Sequence, residues 1–126
     1  MKTDTIDFNF VNYSVPALIV FSERIYRNIK RNPRFSNIYS LLEDIDMVKS
    51  LLLTNYNSVN SECQKQQALI NQLREEIIEL LKTVAKAVID SAEDDIILIS
   101  YSGFYLEKQI KFSQKDDVYS DIVSTK

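Results

Sequence analysis

From Glu62 to Ala92 the chain carries neither glycine nor proline and keeps one apolar seam throughout. Ile70, Leu73, Ile77, Leu80, Val84 and Ala87 recur at steps of three and four, and Leu69, Leu81 and Val88 widen the seam into a stripe. That period places side chains on one face of a helix. At about 1.5 Å per residue such a helix runs roughly 45 Å, longer than most globular helices, so it must lie against other helices.

The composition points the same way. With 126 residues the chain is long enough for one domain with a real core, yet it holds one glycine and two prolines. An all-β chain spends such residues at every hairpin, so few, long helices are expected. The absence of histidine removes the commonest general base and the commonest metal ligand. Cys63 is the single cysteine, so no internal disulfide can form, and it reads as a small filler at a helix start. A net charge of −3 and a pI near 5.0 argue against generic nucleic-acid binding. No apolar run approaches the roughly 18 residues of a membrane span, and the N-terminus lacks the basic-then-apolar order of a signal peptide. The expectation is a soluble chain, cytoplasmic or virion-associated.

Ahead of the long helix, Ile6, Phe8 and Phe10 alternate with Asp7 and Asn9, which predicts an extended segment over residues 5–13. Ser14 then offers an N-cap, Pro16 fits the first turn, and Leu18, Phe21, Ile25 and Ile29 form a buried face. Ala17, Ile19 and Val20 make this helix start apolar on most sides, as if terminal segments covered it. Pro33 stops the helix near Asn32, and Asn32–Asn37 reads as a loop. Ser40 and Glu43 have capping-box spacing, with Ile38 as part of a hydrophobic staple. Leu41, Ile45, Val48 and Leu52, with Tyr56 and Val59 beyond them, face inward from a second helix, and the next turn falls among residues 57–61.

After the long helix, Ile96–Tyr101 fits either a buried strand or a short helix capped by Ser91 or Asp94, with Gly103 as its left-handed end. Residues 104–112 alternate incompletely through Phe104, Leu106, Ile110 and Phe112, a second extended segment available to pair with Ile6–Phe10. A polar tail, residues 113–126, follows the 1–112 domain and carries isolated Val118, Tyr119, Ile122 and Val123.

Two stretches resemble a known family. Ile25-Tyr26-Arg27-Asn28-Ile29-Lys30-Arg31-Asn32-Pro33-Arg34-Phe35 is similar to the first-helix end and "N-P-x-F" loop of an uncharacterised Bacteroidetes family of small helical-bundle domains, often N-terminal to a fibronectin type III module. Leu80–Ala92 and Asp94–Phe104 resemble its third helix and following short helix. The chain departs from the family in lacking a second proline after the Phe and an Ala-rich middle. The resemblance implies a three-helix bundle with a short fourth helix at Asp94–Tyr101; with the extended segments read from the alternation, the expected fold is all-α, an antiparallel three-helix bundle with terminal segments available to pair. The resemblance implies no catalytic residue, and a context among surface or phage structural proteins.

Four constellations stand out. Arg24, Arg27, Arg31 and Arg34, with Lys30, form a basic cluster that could grip phosphates or an acidic partner; cations gathering at a helix C-terminus are the plainer account. Glu43, Asp44 and Asp46, and separately Glu93, Asp94 and Asp95, lack calcium-loop spacing and read as helix-terminus charge. Glu75, Glu76, Glu79 and Lys82 read as a solvated face. Tyr101, Phe104 and Tyr105 form an aromatic set beside Gly103, suited to an interface or to closing the bundle's end. No phosphate loop, nucleophile elbow or zinc spacing occurs, so no catalytic, cofactor or metal residue is expected and no cofactor is assigned. The leading expectation is a non-enzymatic structural or protein-interaction module. It would associate with itself or with other chains in an oligomer, a phage virion or a surface structure. The candidate contacts are Arg24, Arg27, Arg31, Arg34, Tyr101, Phe104, Tyr105 and Tyr119. A nucleic-acid-associated regulator using the Arg24–Arg34 cluster is the second reading.

Overall fold

Ser14 starts the first helix, α1 (Val15–Lys30): in extended backbone, its side-chain oxygen accepts the Ala17 N–H at 3.3 Å, and Pro16 sits in the first turn. In the computed structural model, which describes residues 6–58, 63–93 and 95–106, three further helices follow. They are α2 (Tyr39–Asn57), α3 (Gln64–Ala92) and the short α4 (Ile96–Ser100). The fold is all-α, as expected, and Ile96–Ser100 is helix rather than strand.

α2 packs on both α1 and α3. Side-chain pairs fix the directions. Lys30 at the end of α1 meets Glu43 at the start of α2, while Glu23 meets Lys49 further along. Asn37 Nδ2 donates to Ser91 Oγ, joining the start of α2 to the end of α3. Both neighbouring pairs of helices therefore run antiparallel.

The predicted seam of α3 is largely buried. Ile70, Leu73, Ile77, Leu81, Val84 and Val88 are covered, while Leu80 and Ala87 lie half-buried. Ile78, Ala85, Ile89 and Ala92 join them, so the buried stripe is broader than the sequence suggested and shifted away from Leu69, which stays exposed. The helix begins at Gln64, not Glu62, because Cys63 is already extended and acts as N-cap residue. Cys63 is exposed, which overturns its reading as a filler.

Other expectations are corrected. The extended segment at the N-terminus ends early. Asp7 Oδ1 accepts the Asn9 N–H, and Asn9–Asn12 winds into a 3-10 turn. Short polar side chains that bond nearby backbone favour such turns over a strand. Among the described residues, pairing with the C-terminal segment is one antiparallel bridge, Ile6 to Leu106, with the Asp7 N–H donating to the Tyr105 carbonyl at 2.8 Å. Residues 32–37 are not a plain loop: Asn32 caps a 3-10 segment, Pro33–Ile38, that runs directly into α2. α2 already begins at Tyr39 with Ile38 as its N-cap residue, so Ser40 lies inside the helix, the capping box does not form and Glu43 turns to Lys30. Val20 and Ala17 remain exposed, so residues 6–14 and 101–106, the described parts of the terminal segments, leave this side of the start of α1 open. On α2, Leu42 is fully buried though unforeseen, and Tyr56 stays outside. α4 is capped by Asp95, whose Oδ1 accepts from the Ile97 and Leu98 N–H groups, rather than by Ser91, which bonds Asn37. Val59, Asp94, the residues 107–112 and the tail with Tyr119 lie outside the described residues.

The terminal segments are held to the bundle by aromatic packing and two arginines, Arg74 on the N-terminal side and Arg24 on the C-terminal side. Phe10 stacks on Phe21 at 5.4 Å between centroids, and Phe104 meets Phe21 edge-on at 5.7 Å. Arg74 on α3 donates from Nη2 to the carbonyls of Val11 and Tyr13, each at 2.9 Å. Those carbonyls flank the entry to α1 and are partly buried, so losing the donor leaves two acceptors poorly solvated. Arg74→Ala should lower stability by about 1–2 kcal/mol in urea titrations. A change below a few tenths would show that the contact is idle.

Candidate functional site

α1 presents its outer face as a stripe. Val20, Arg24, Arg27 and Arg31 follow at steps of four, three and four, the spacing of one helical face. The basic cluster therefore exists in space, but its members are not equivalent. Arg24 Nε donates to the Gly103 carbonyl at 2.8 Å, and its guanidinium lies 4.8 Å from the centre of the Tyr105 ring. Arg31 Nη2 donates to Asn28 Oδ1 at 2.9 Å. Lys30 pairs with Glu43 at 2.9 Å and sits against the rings of Tyr26 and Tyr39. The side chains of Arg27 and Arg34 are exposed and have no partner among the described residues. The cluster thus offers fewer uncommitted cations than its sequence suggests.

Lys30 and Glu43 shift each other. The hydrogen bond from Lys30, then its charge, holds Glu43 below its ordinary 4.5, and the same bond to Glu43 raises Lys30 above 10.5. Glu43 therefore adds stability above pH 4.5, lost as pH falls through its lowered pKa. Lys30 adds stability below pH 10.5, lost as pH rises through its raised pKa. The pair ties α1 to α2 across the neutral range, and its exposure keeps the contribution small. In an NMR titration the Glu43 carboxyl should titrate below its ordinary 4.5, and Lys30→Ala should raise it. Unchanged titration in that variant would show that Lys30 is not the cause.

A groove of about 450 Å³ runs between α1 and α2. Ser22 and Ile45, both buried, lie at its base, and Tyr26, Arg27 and Arg31 line its α1 side. Its volume suits a small ligand. Its other charges are already matched, however: Lys49 lies 3.3 Å from Glu23 and 3.5 Å from Asp46. Ser22 is bound too, donating to the Leu18 carbonyl at 2.7 Å. The groove has shape without a free reactive group at its base. Among the described residues, no group of three or more His, Cys, Asp or Glu is placed to hold a metal ion. No described helix is long and apolar enough to cross a membrane.

The aromatic set divides. Phe104 is 2% exposed and belongs to the core, so it is withdrawn from the candidate contact residues. Tyr105 is half-covered, lying parallel to Phe21 and beneath Arg24. Tyr101, the C-cap residue of α4, is 60% exposed, with Ile97 one turn before it at 65%. No protein-family model, curated protein or solved structure matches this chain. Its surface is the remaining guide to what it does.

On that surface the solvated face of α3 is as expected, with Lys82 paired to Glu79 and Arg74 to Glu75. Sequence reasoning overlooked the outward pair Met47 and Leu51 on α2, which are 59% and 49% exposed. They lie four residues apart, on the side of α2 opposite Ile45 and Leu52. The i,i+4 spacing was a usable signal once the inward face was assigned.

Proposed function

We propose that this chain is a non-enzymatic structural or interaction module that associates with further copies of itself through the apolar side chains outside its closed core. The observation that carries this reading is the pairing of exposed large apolar residues at two places: Met47 with Leu51 on α2, and Ile97 on α4 with Tyr101, the residue that caps its C-terminus. Single exposed leucines need no explanation, but helical pairs at matched spacing form ridges that another surface can cover. A rigid frame also supports the reading. α3 runs unbroken over 29 residues, and the connector Pro33–Ile38 is two 3-10 turns meeting at a kink at the buried Phe35, so these ridges sit on a packed frame.

Light scattering over a range of concentrations tests it. The mean mass should rise above the 14.6 kDa of one chain, and Leu51→Glu or Ile97→Glu should return it to that value without loss of helical signal. A single-chain mass at every concentration would overturn the proposal.

A further inference from the structure

We infer that the outer face of α1 is the docking site for this chain's own acidic C-terminal segment, Asp116–Val123. The inference does not depend on self-association, since it concerns a different face. Along α1 that face changes character: Pro16, Ala17 and Val20 are exposed and apolar, and Arg24, Arg27 and Arg31 follow about one, two and three turns on. Val20 is 66% exposed, the most of any large apolar residue described. Beside it lies a groove of about 550 Å³, walled by Tyr13, Phe21 and Tyr105.

Charge and reach choose the occupant. Asp116, Asp117 and Asp121 carry three carboxylates against the three guanidinium groups, and Val118, Tyr119, Ile122 and Val123 interleave with them. Two apolar pairs four residues apart, flanked by acids, match a surface that is apolar at one end and basic at the other. The described chain ends at Leu106, one residue past the Tyr105 that walls the groove. Residues 107–115 can span up to about 30 Å, while the stripe from Pro16 to Arg31 is only about 22 Å long. The segment therefore reaches the whole face without strain on the bridge at Ile6 and Leu106.

The guanidinium groups are suited to it. Arg24 spends its Nε on Gly103, which fixes the side chain and leaves its terminal nitrogens available, and Arg27 has no side-chain partner among the described residues. Planar guanidinium forks take carboxylates in two-pronged contacts.

The test uses the full chain, isotope-labelled for NMR, with Cys63→Ser and a nitroxide attached at Ser124→Cys. The amide signals of Ala17, Val20, Arg24 and Arg27 should lose more than half their intensity relative to the reduced label, while those of Gln72 to Glu79 keep theirs. Changing Asp116, Asp117 and Asp121 together to Lys should restore the α1 signals. Equal intensities on α1 and α3 with the aspartates intact would overturn the inference. So would α1 attenuation that arises fully in a mixture of label-free isotopic chain and spin-labelled ordinary chain, because the occupant would then be the tail of a second copy.

Discussion

Replacing Phe35 with alanine should cost about 3–5 kcal/mol, close to the limit of what a domain of this size withstands. The residue sits in the Pro33–Ile38 connector, which would pass for a surface loop by sequence, yet its side chain is 0% exposed. That connector touches α1, α2 and α3, so the ring fills the end of the bundle where all three come together. Truncation there removes contacts to three elements at once. The backbone around it is not free to collapse, because Asn32 caps the turn and the single Tyr39 hydroxyl proton is shared between the Lys30 and Asn32 carbonyls. A cavity that cannot close is the costly kind. Urea titration followed by helical circular dichroism should show a large drop in midpoint at unchanged slope. Phe35→Leu should lose under about 1.5 kcal/mol, and Arg34→Ala, one residue away and exposed, less than about 0.5. A loss for Phe35→Ala as small as for Arg34→Ala would show that the connector is not part of the core.

Phe35 also shows which parts of the fold were legible in the sequence. Signals spread over many residues read correctly: the α3 seam, the α1 face of Leu18, Phe21, Ile25 and Ile29, and the Ser14 cap with Pro16 behind it. Each is a periodic pattern or a local bond that tertiary packing had no reason to override. The failures fell where two local options had similar energies. Ile6–Phe10 alternates like a strand, but Asp7 and Asn9 can bond their own neighbours, and that turn won. Ser40 and Glu43 have capping spacing, but α2 already begins at Tyr39, which leaves Ser40 inside the helix.

The surface was less legible still. Five cations between Arg24 and Arg34 look alike in sequence, whereas their partners, Gly103, Asn28 and Glu43, are fixed only by the fold. The bond from Arg24 to Gly103 spans 79 positions, beyond the reach of any local pattern.

Gly103→Ala should destabilise the protein by about 2–3 kcal/mol, more than any surface substitution tested alongside it. Two causes act together. Gly103 has φ +99°, a backbone region that side-chain-bearing residues rarely adopt. A Cβ there would also lie 2.7 Å from Asn28 Nδ2 and 3.3 Å from Ile25 Cδ1. The Asn28 amide can swing aside, but doing so gives up its bond to Arg31; Ile25 is fully buried and yields less easily. Relaxing φ instead would draw the Gly103 carbonyl off Arg24 and disturb Phe104, whose ring meets both Phe10 and Phe21. The double variant Asn28→Ala, Gly103→Ala separates the causes. Relief of the amide contact should recover part of the loss measured against Asn28→Ala alone, and the share due to positive φ, about 1–2 kcal/mol, should persist. Stability of Gly103→Ala equal to the parent chain would mean that the turn after α4 takes a different path, and that the hold of Arg24 on the C-terminal segment is weaker than the 2.8 Å contact implies.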